Sequence, residues 1–277
     1  MKITHVFLLA SLAVLAFSSC GTDPIAADKE IQSSIDHAFV QSEFSNLQNI
    51  IDVEAQLSDD LNKTGSLQGY FCSCSTVGVV QNSTNNYTMT IDYGSGCVCL
   101  DGRRRAGKLI AVFNGKWNVN GTSVTITPED YQVTGLNGKT YDFSFTHTIT
   151  RTGINSAGHL VLAVVVKDAV LTSSDGTIRW ESTRNVAWTQ GILDGNPTTN
   201  VYEITGSASG TSSNNVSFTV TIDEPLVIKA TCPHIVQGVL SLTPAGRLTR
   251  TLDYGNGACD NEALLVIDTF SRTITLW

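Results

Sequence analysis

The chain is 277 residues long, with a formal net charge of −8, 42% hydrophobic and 15% charged residues. That length builds one large β domain or two small ones. Its acidic balance excludes the clustered positive surface by which a nucleic-acid binder neutralises phosphates.

Residues 1–19 read as an export signal. Lys2 precedes an apolar run over 6–17, too short for a membrane-spanning helix, and Ser18-Ser19-Cys20 follows. Small residues before a cysteine resemble a bacterial lipoprotein signal, in which Cys20 is acylated and becomes the first residue of the mature chain. No later stretch reaches the roughly 20 apolar residues of a transmembrane helix. The expected state is therefore anchored to a membrane by lipid, at the outer membrane of the cell envelope, without spanning it.

The segment 20–66 carries most of the charge. Nine of the 25 acids (Asp23, Asp28, Glu30, Asp36, Glu43, Asp52, Glu54, Asp59 and Asp60) precede residue 61, and Lys29 is the one base there beyond the signal. Ile31, Ile35, Phe39, Phe44, Leu47 and Ile51 recur at spacings of three to five, which predicts one N-terminal amphipathic helix with Pro24 near its start. Its apolar stripe should lie on a sheet. Its acidic face would be repelled by anionic lipid.

From residue 67 to 277 the pattern changes to period two. Runs rich in Val, Ile, Thr, Tyr and Phe at 123–127, 141–150, 160–166 and 216–222 alternate with turn signals at Asn120-Gly121, Asn137-Gly138, Asp175-Gly176, 194–197 and 212–215. No helical stretch interrupts them, so the fold class is mainly β: a large curled antiparallel meander of about 12 to 14 strands. Such a sheet should curl into a barrel, a half-barrel or two packed layers.

A block occurs twice in this region. The first copy contains Cys72, Gly78-Val79-Val80, Thr90-Ile91-Asp92-Tyr93-Gly94-Ser95-Gly96 and Cys99. The second contains Cys232, Gly238-Val239-Leu240, Thr251-Leu252-Asp253-Tyr254-Gly255-Asn256-Gly257 and Cys259. Two strand-turn-strand repeats are expected, at 72–113 and 232–277. Beside the first lie Arg103, Arg104 and Arg105, read as a solvated turn able to contact an anionic headgroup or sugar. Gly102 to Lys108 also match the start of a phosphate-binding loop. However, Leu109 replaces the required Ser or Thr, and a strand pattern follows in place of a helix.

Six cysteines remain after Cys20, an even number in an exported chain. Opposed residues of an antiparallel hairpin share one index sum, and Cys72 with Cys99 and Cys74 with Cys97 share theirs. Their common register centres a turn between Asn85 and Asn86. Cys232 with Cys259 centres another between Ala245 and Gly246, so three disulfides are predicted. A four-thiolate metal site is disfavoured, because metal ligands are usually spaced by two to four residues and exported thiols oxidise.

Trp180 and Trp188 fall on one face of an unbroken strand over 177–190, about 26 Å apart. They are candidate ligand contacts if exposed and core positions if not. The closing strand places Thr275, Thr273, Ser271 and Thr269 where an outer-membrane barrel would need lipid-facing apolar residues, which argues against one.

Catalytic signals are absent from the pattern. His37, His147, His159 and His234 stand without a nucleophile elbow or a metalloprotease pair, so no catalytic or metal residue and no cofactor is expected. Glu129-Asp130 and Asp223-Glu224 lie on opposite strand faces and cannot act as acid and base together. Asp253, Asn256, Asp260 and Asn261, with Asp92, Ser95 and Asp101 at the first corner, offer oxygen atoms for calcium, but turn chemistry accounts for them.

The lipoprotein signal, the acidic helix, the cysteine corners, Gly107-Lys108-Leu109-Ile110, and the run from Asp175 to Trp180 with Arg184 and Trp188 together resemble a group of uncharacterised exported lipoproteins of the Bacteroidetes. This resemblance spans nearly the whole chain. It supports the location and brings no activity. Two functions are expected on these grounds. The first is a non-catalytic binding or structural module of the envelope for a lipid, a glycan or an envelope protein. The alternative is an exported hydrolase of glycans or esters whose acids come from separate strands.

Overall fold

The computed structural model describes residues 28–58, 66–192, 194 and 196–276; the expected export signal at 1–19 and the expected lipidation site Cys20 lie outside them. One helix, α1 (Gln32–Ser58), precedes fifteen strands. They are β1 (Ser66–Gln68), β2 (Thr76–Ser83), β3 (Asn86–Asp92), β4 (Cys97–Val98), β5 (Arg104–Phe113), β6 (Ser123–Thr134), β7 (Thr140–Ile154) and β8 (Leu160–Ser173). After them come β9 (Gly176–Gln190), β10 (Val201–Thr211), β11 (Ser217–Lys229), β12 (Ile235–Pro244), β13 (Arg250–Asn256), β14 (Glu262–Ile267) and β15 (Phe270–Thr275).

All fifteen form a single antiparallel sheet in which strands pair with their neighbours in sequence, and the two-residue β4 is an extra partner of β5. The sheet is not closed into a barrel. Turns fall where the turn signals stand: 135–139 joins β6 to β7, Ser174 and Asp175 join β8 to β9, and 212–216 joins β10 to β11. The strands beyond the expected 12 to 14 are accounted for by pieces as short as β1 and β4.

Period two decides which side chains point inward. Tyr141, Phe143, Phe145, His147 and Ile149 of β7 are buried, as are Leu160, Leu162, Val164 and Val166 of β8. Ile178, Trp180, Ser182, Arg184, Val186 and Trp188 of β9 face the same way, whereas Arg179, Glu181, Thr183 and Asn185 face solvent. Register shifts between β6 and β7, β7 and β8, β8 and β9, and β10 and β11 add twist, and so bend the long strands around the inner face.

What they bend around is α1. It contains neither Gly nor Pro, and the Glu30 carboxylate covers its first turn, accepting from Ser33 N at 2.8 Å and Ser33 Oγ at 2.7 Å. The apolar stripe meets the sheet as expected: Phe39 packs on Tyr141 at 4.4 Å and Phe44 on Phe145 at 5.1 Å. The polar side is not solvated. Asp36, Glu43, Asp52 and Glu54 are buried with the rest, because the curled sheet encloses the helix on every face. Asp36 accepts from Ser213 N at 2.7 Å, Glu54 from Tyr70 N at 2.7 Å, and Asn49 from Tyr202 Oη at 3.4 Å.

Trp180 and Trp188 are core residues, with no part in a contact surface. Trp180 stacks on Phe44 at 5.2 Å with 13° between the rings, and Trp188 packs against Tyr202 at 5.2 Å. Both point inward because their eight-residue spacing keeps them on the face that meets the helix.

The three disulfides join Cys72 with Cys99, Cys74 with Cys97, and Cys232 with Cys259. The two repeated corners share one geometry. Asp92 Oδ1 accepts from Gly94 N at 2.8 Å and Asp253 Oδ1 from Gly255 N at 2.8 Å. Gly94 (φ 57°) and Gly255 (φ 83°) occupy left-handed backbone that side chains disfavour. The first hairpin nevertheless turns at Thr84 and Asn85, ahead of the cysteine-derived centre, since β2 and β3 pair Thr76 with Asp92 and Gly78 with Thr90. The corner at 93–96 absorbs the difference. The second hairpin turns at Ala245 and Gly246, where its cysteines placed it.

Candidate functional site

The curl brings the first cysteine corner to the segment around Cys232, and a cavity of about 240 Å³ lies between them. Asn46, Asn49 and Ile50 of α1 form its floor. Tyr70, Phe71, Cys99 and Leu100 form one wall, Ala230, Thr231, Cys232 and Pro233 the other, and Pro197 and Thr198 one end. Each wall is pinned. Leu100 N donates to Phe71 O at 2.9 Å, Cys99 N to Arg103 O at 2.9 Å, and Ala230 N to Asn200 O at 2.9 Å. The Pro233 carbonyl ties the walls to the helix, accepting from Ser42 Oγ at 3.2 Å, Asn46 Nδ2 at 3.4 Å and Arg103 Nη1 at 3.5 Å.

A four-charge network supports this floor. Arg105 grips Asp101 with both ends of its fork, Nη1 to Oδ1 at 2.8 Å and Nη2 to Oδ2 at 2.7 Å. Arg103 Nε lies 2.5 Å from Glu43 Oε1, and Arg105 Nη2 lies 3.8 Å from Glu43 Oε2. Burial alone would raise the Asp101 carboxyl, but Arg105 and then Arg103 hold it below the ordinary carboxylate range. Arg105 itself is raised well above its ordinary value: burial opposes this, and Asp101 outweighs it. Burial raises the Glu43 carboxyl against the pull of Arg103 and then Arg105, but its 2.5 Å contact with Arg103 marks it as an ion pair; with both acids ionised, two cations and two anions balance.

Arg103 and Arg105 are therefore not in a solvated turn. Their side chains are fully buried, and only Arg104 points out, where Nη2 donates to Ser95 O at 2.6 Å. Alternation along the strand sends the odd-numbered pair inward and Arg104 outward. Of the three, Arg105 lines the cavity, and Arg103 supports it from beneath. Glu43 escaped notice because its partners stand some sixty residues away.

No family model, no curated protein and no solved structure matches this chain. The chemistry must therefore be read from the cavity itself. The polar residues lining it are Asn46, Asn49, Asp101, Arg105, Thr198 and Thr231, set among Tyr70 and Phe71 and the apolar Ile50, Pro197, Pro233 and Leu100. Leu100 is 77% exposed at the rim. Amides and a hydroxyl beside ring faces suit a ligand bearing hydroxyls on an apolar frame.

Acid and base chemistry has less to draw on. Asp101 and Glu43 are both committed to arginines, and Asp52, pushed up to about 8 by burial against a smaller opposing effect of Gln48, is sealed in the core. His37 is pushed down to about 3 by burial and then by Arg184, and His147 well below its ordinary value by the same causes in the same order. His234, beside Pro233, is lowered by burial and then by Arg103. None of these three is poised to take a proton near neutral pH. The oxygen-rich corners do not converge. Asp92 and Asp253 are spent on their own turns, and Asp101 on Arg105.

A second depression, about 380 Å³ and more open, runs across the outer face of β8 to β11. Lys167, Glu181, Thr183, Ser207, Ser209, Thr219 and Thr221 line it. It lacks the aromatic and buried charged groups that distinguish the first.

Proposed function

We propose that this protein is an envelope lipoprotein, acylated at Cys20 and held at the outer membrane, that acts as a non-catalytic binding module. The cavity between its cysteine corners takes the end of a glycan. One observation carries the reading: a pocket of amides, a hydroxyl and ring faces, walled by two disulfide-pinned corners and floored by a charge-balanced network, is preorganised and nearly neutral. Its 240 Å³ is below the roughly 300–1,000 Å³ of a drug-sized site, so a terminal sugar fits where a whole oligosaccharide does not. An acyl chain would leave Asp101 and the amides of Asn46 and Asn49 facing hydrocarbon, at a cost that a sugar avoids. Against the hydrolase reading stands the commitment of both nearby carboxylates to arginines.

A glycan array with the purified protein and with Asn46→Leu and Tyr70→Ala variants tests the site. Wild type should retain a subset of glycans that both variants release, and lipid vesicles should capture none of the unacylated protein. Binding that is unchanged in both variants, or turnover of any glycan, ester or peptide, overturns the proposal. For the anchor, Cys20→Ala should abolish labelling by a fatty-acid probe, and persistent labelling refutes acylation there.

A further inference from the structure

Arg184 stands near the middle of β9 with its side chain turned toward α1, and among the described residues no group answers its charge. It is 1% exposed, and neither Nε, Nη1 nor Nη2 has a hydrogen-bond partner. Its Cζ lies 5.4 Å over the ring of Trp180. A ring face offsets part of a cation's charge, yet accepts none of the five N–H donors of a guanidinium. An unpaired cation in a dry interior is among the costliest of all burials.

More unmatched polar groups gather on the same inner face. Ser182, two residues earlier, has an unpartnered Oγ, and it pairs across β8 with Val166, which pairs in turn with His147. His147 is 0% exposed, and neither ring nitrogen has a partner. From the helix side, His37 accepts from Trp180 Nε1 at 3.2 Å through Nδ1, while its Nε2 is unmatched. Phe44 lies between, 5.6 Å from the His147 ring and 5.2 Å from Trp180.

Among the described residues no acid serves as counter-ion. Asp36 is occupied by Gln32 and Ser213, and Glu43 by Arg103 and Arg105. Asp52 lies eight residues past Phe44, about 12 Å farther along the helix axis. The two imidazoles are held neutral by burial and then by Arg184, so each keeps one N–H to donate.

We propose that this cluster binds a small monovalent anion such as chloride, held by the Arg184 guanidinium with further donors from His147 and Ser182. One negative charge balances the one positive charge; a dianion would reverse the imbalance and lose more hydration. The surrounding residues are almost wholly buried, so an organic anion has no mouth to enter, and a halide would be taken up as the sheet closes on the helix.

Crystals of wild-type protein refolded and grown with bromide in place of chloride, read by anomalous scattering, should give a peak within hydrogen-bonding distance of Arg184. In solution at fixed ionic strength, replacing gluconate by chloride should raise the Tm of the wild type by about 3–5 °C for each tenfold excess over its dissociation constant. Arg184→Met fills similar space without charge, and should abolish that dependence. An Arg184 site empty of bromide, or a chloride response equal in wild type and Arg184→Met, overturns the proposal. Should the variant fail to fold, the bromide experiment on the wild type decides alone.

Discussion

At the scale of single residues, the interior of this protein is unusually charged, and its ionisations predict opposing pH effects. The Asp52 carboxyl is raised to about 8 in the folded state by burial, so the folded chain binds a proton that the unfolded chain, near the ordinary 3.8, has released. Stability should therefore fall as pH rises from about 4 to 8, by up to about 1.4 kcal/mol per unit from this group. Denaturant titrations across that range should flatten in Asp52→Asn, and an unchanged slope would exclude the buried acid as the cause. Asp101 works the other way. Its carboxyl is depressed, so its contribution is complete above the ordinary carboxylate value and lost as pH falls through the lower folded one. Arg105→Met should cost about 3–5 kcal/mol at neutral pH by leaving Asp101 and Glu43 short of a partner; a loss below 1 kcal/mol in urea unfolding would show the network to be dispensable. Little of this was legible in the sequence. Three consecutive arginines look like a solvated turn until Glu43, on a helix far away in sequence, is placed under two of them.

At the scale of elements, legibility was high where a local pattern dictates the outcome. Alternation, turn dipeptides and cysteine index sums each act over a few residues or one hairpin, and they place the strands, the turns and the disulfides. The register of β2 against β3 escaped because the corner at 93–96 takes up residues between the ladder and the bridges. The helix was visible from its stripe, but its surroundings were not, since nothing in an acidic face says that Arg103 and Arg105 will meet Glu43, or that the turn residue Ser213 will meet Asp36. The disulfide of the second corner spans 27 residues, so Cys232→Ser with Cys259→Ser should cost about 3–4 kcal/mol by thermal or chemical unfolding. The same variant should weaken glycan binding beyond its effect on stability, because one wall of the cavity loses its pin. Binding that survives intact would separate the corner from the site.

At the scale of the whole molecule, the helix is the core of the sheet. Phe39, Phe44, Leu47, Ile50 and Ile51 are buried, and among the described residues the sheet's inner face has no other layer to cover it. Removing residues 28–58 should leave no cooperative unfolding transition and should expose enough apolar surface to bind a hydrophobic dye. A cooperative transition in the helix-less chain would show that the sheet stands alone. Among the described residues no helix is long and apolar enough to cross a membrane, and the outward positions of β9 are charged or polar.

Arg250 donates to Asp28 at 2.9 Å and to the Glu30 carbonyl at 2.7 Å, across separations of 222 and 220 residues. The two ends of the fold are thus clasped to each other, and the order of synthesis acquires a meaning. α1 emerges from a ribosome or an export channel before the strands that enclose it, and the segment ahead of it, Asp28 and Glu30, waits for Arg250 of β13. The sheet grows by pairing neighbouring strands, but this clasp joins residues more than 200 apart and can form only after β13 is made, so closure of the fold is delayed. If the chain is exported as its first residues suggest, the same delay is useful: a protein that cannot complete its core before its last strands are made remains threadable throughout its passage.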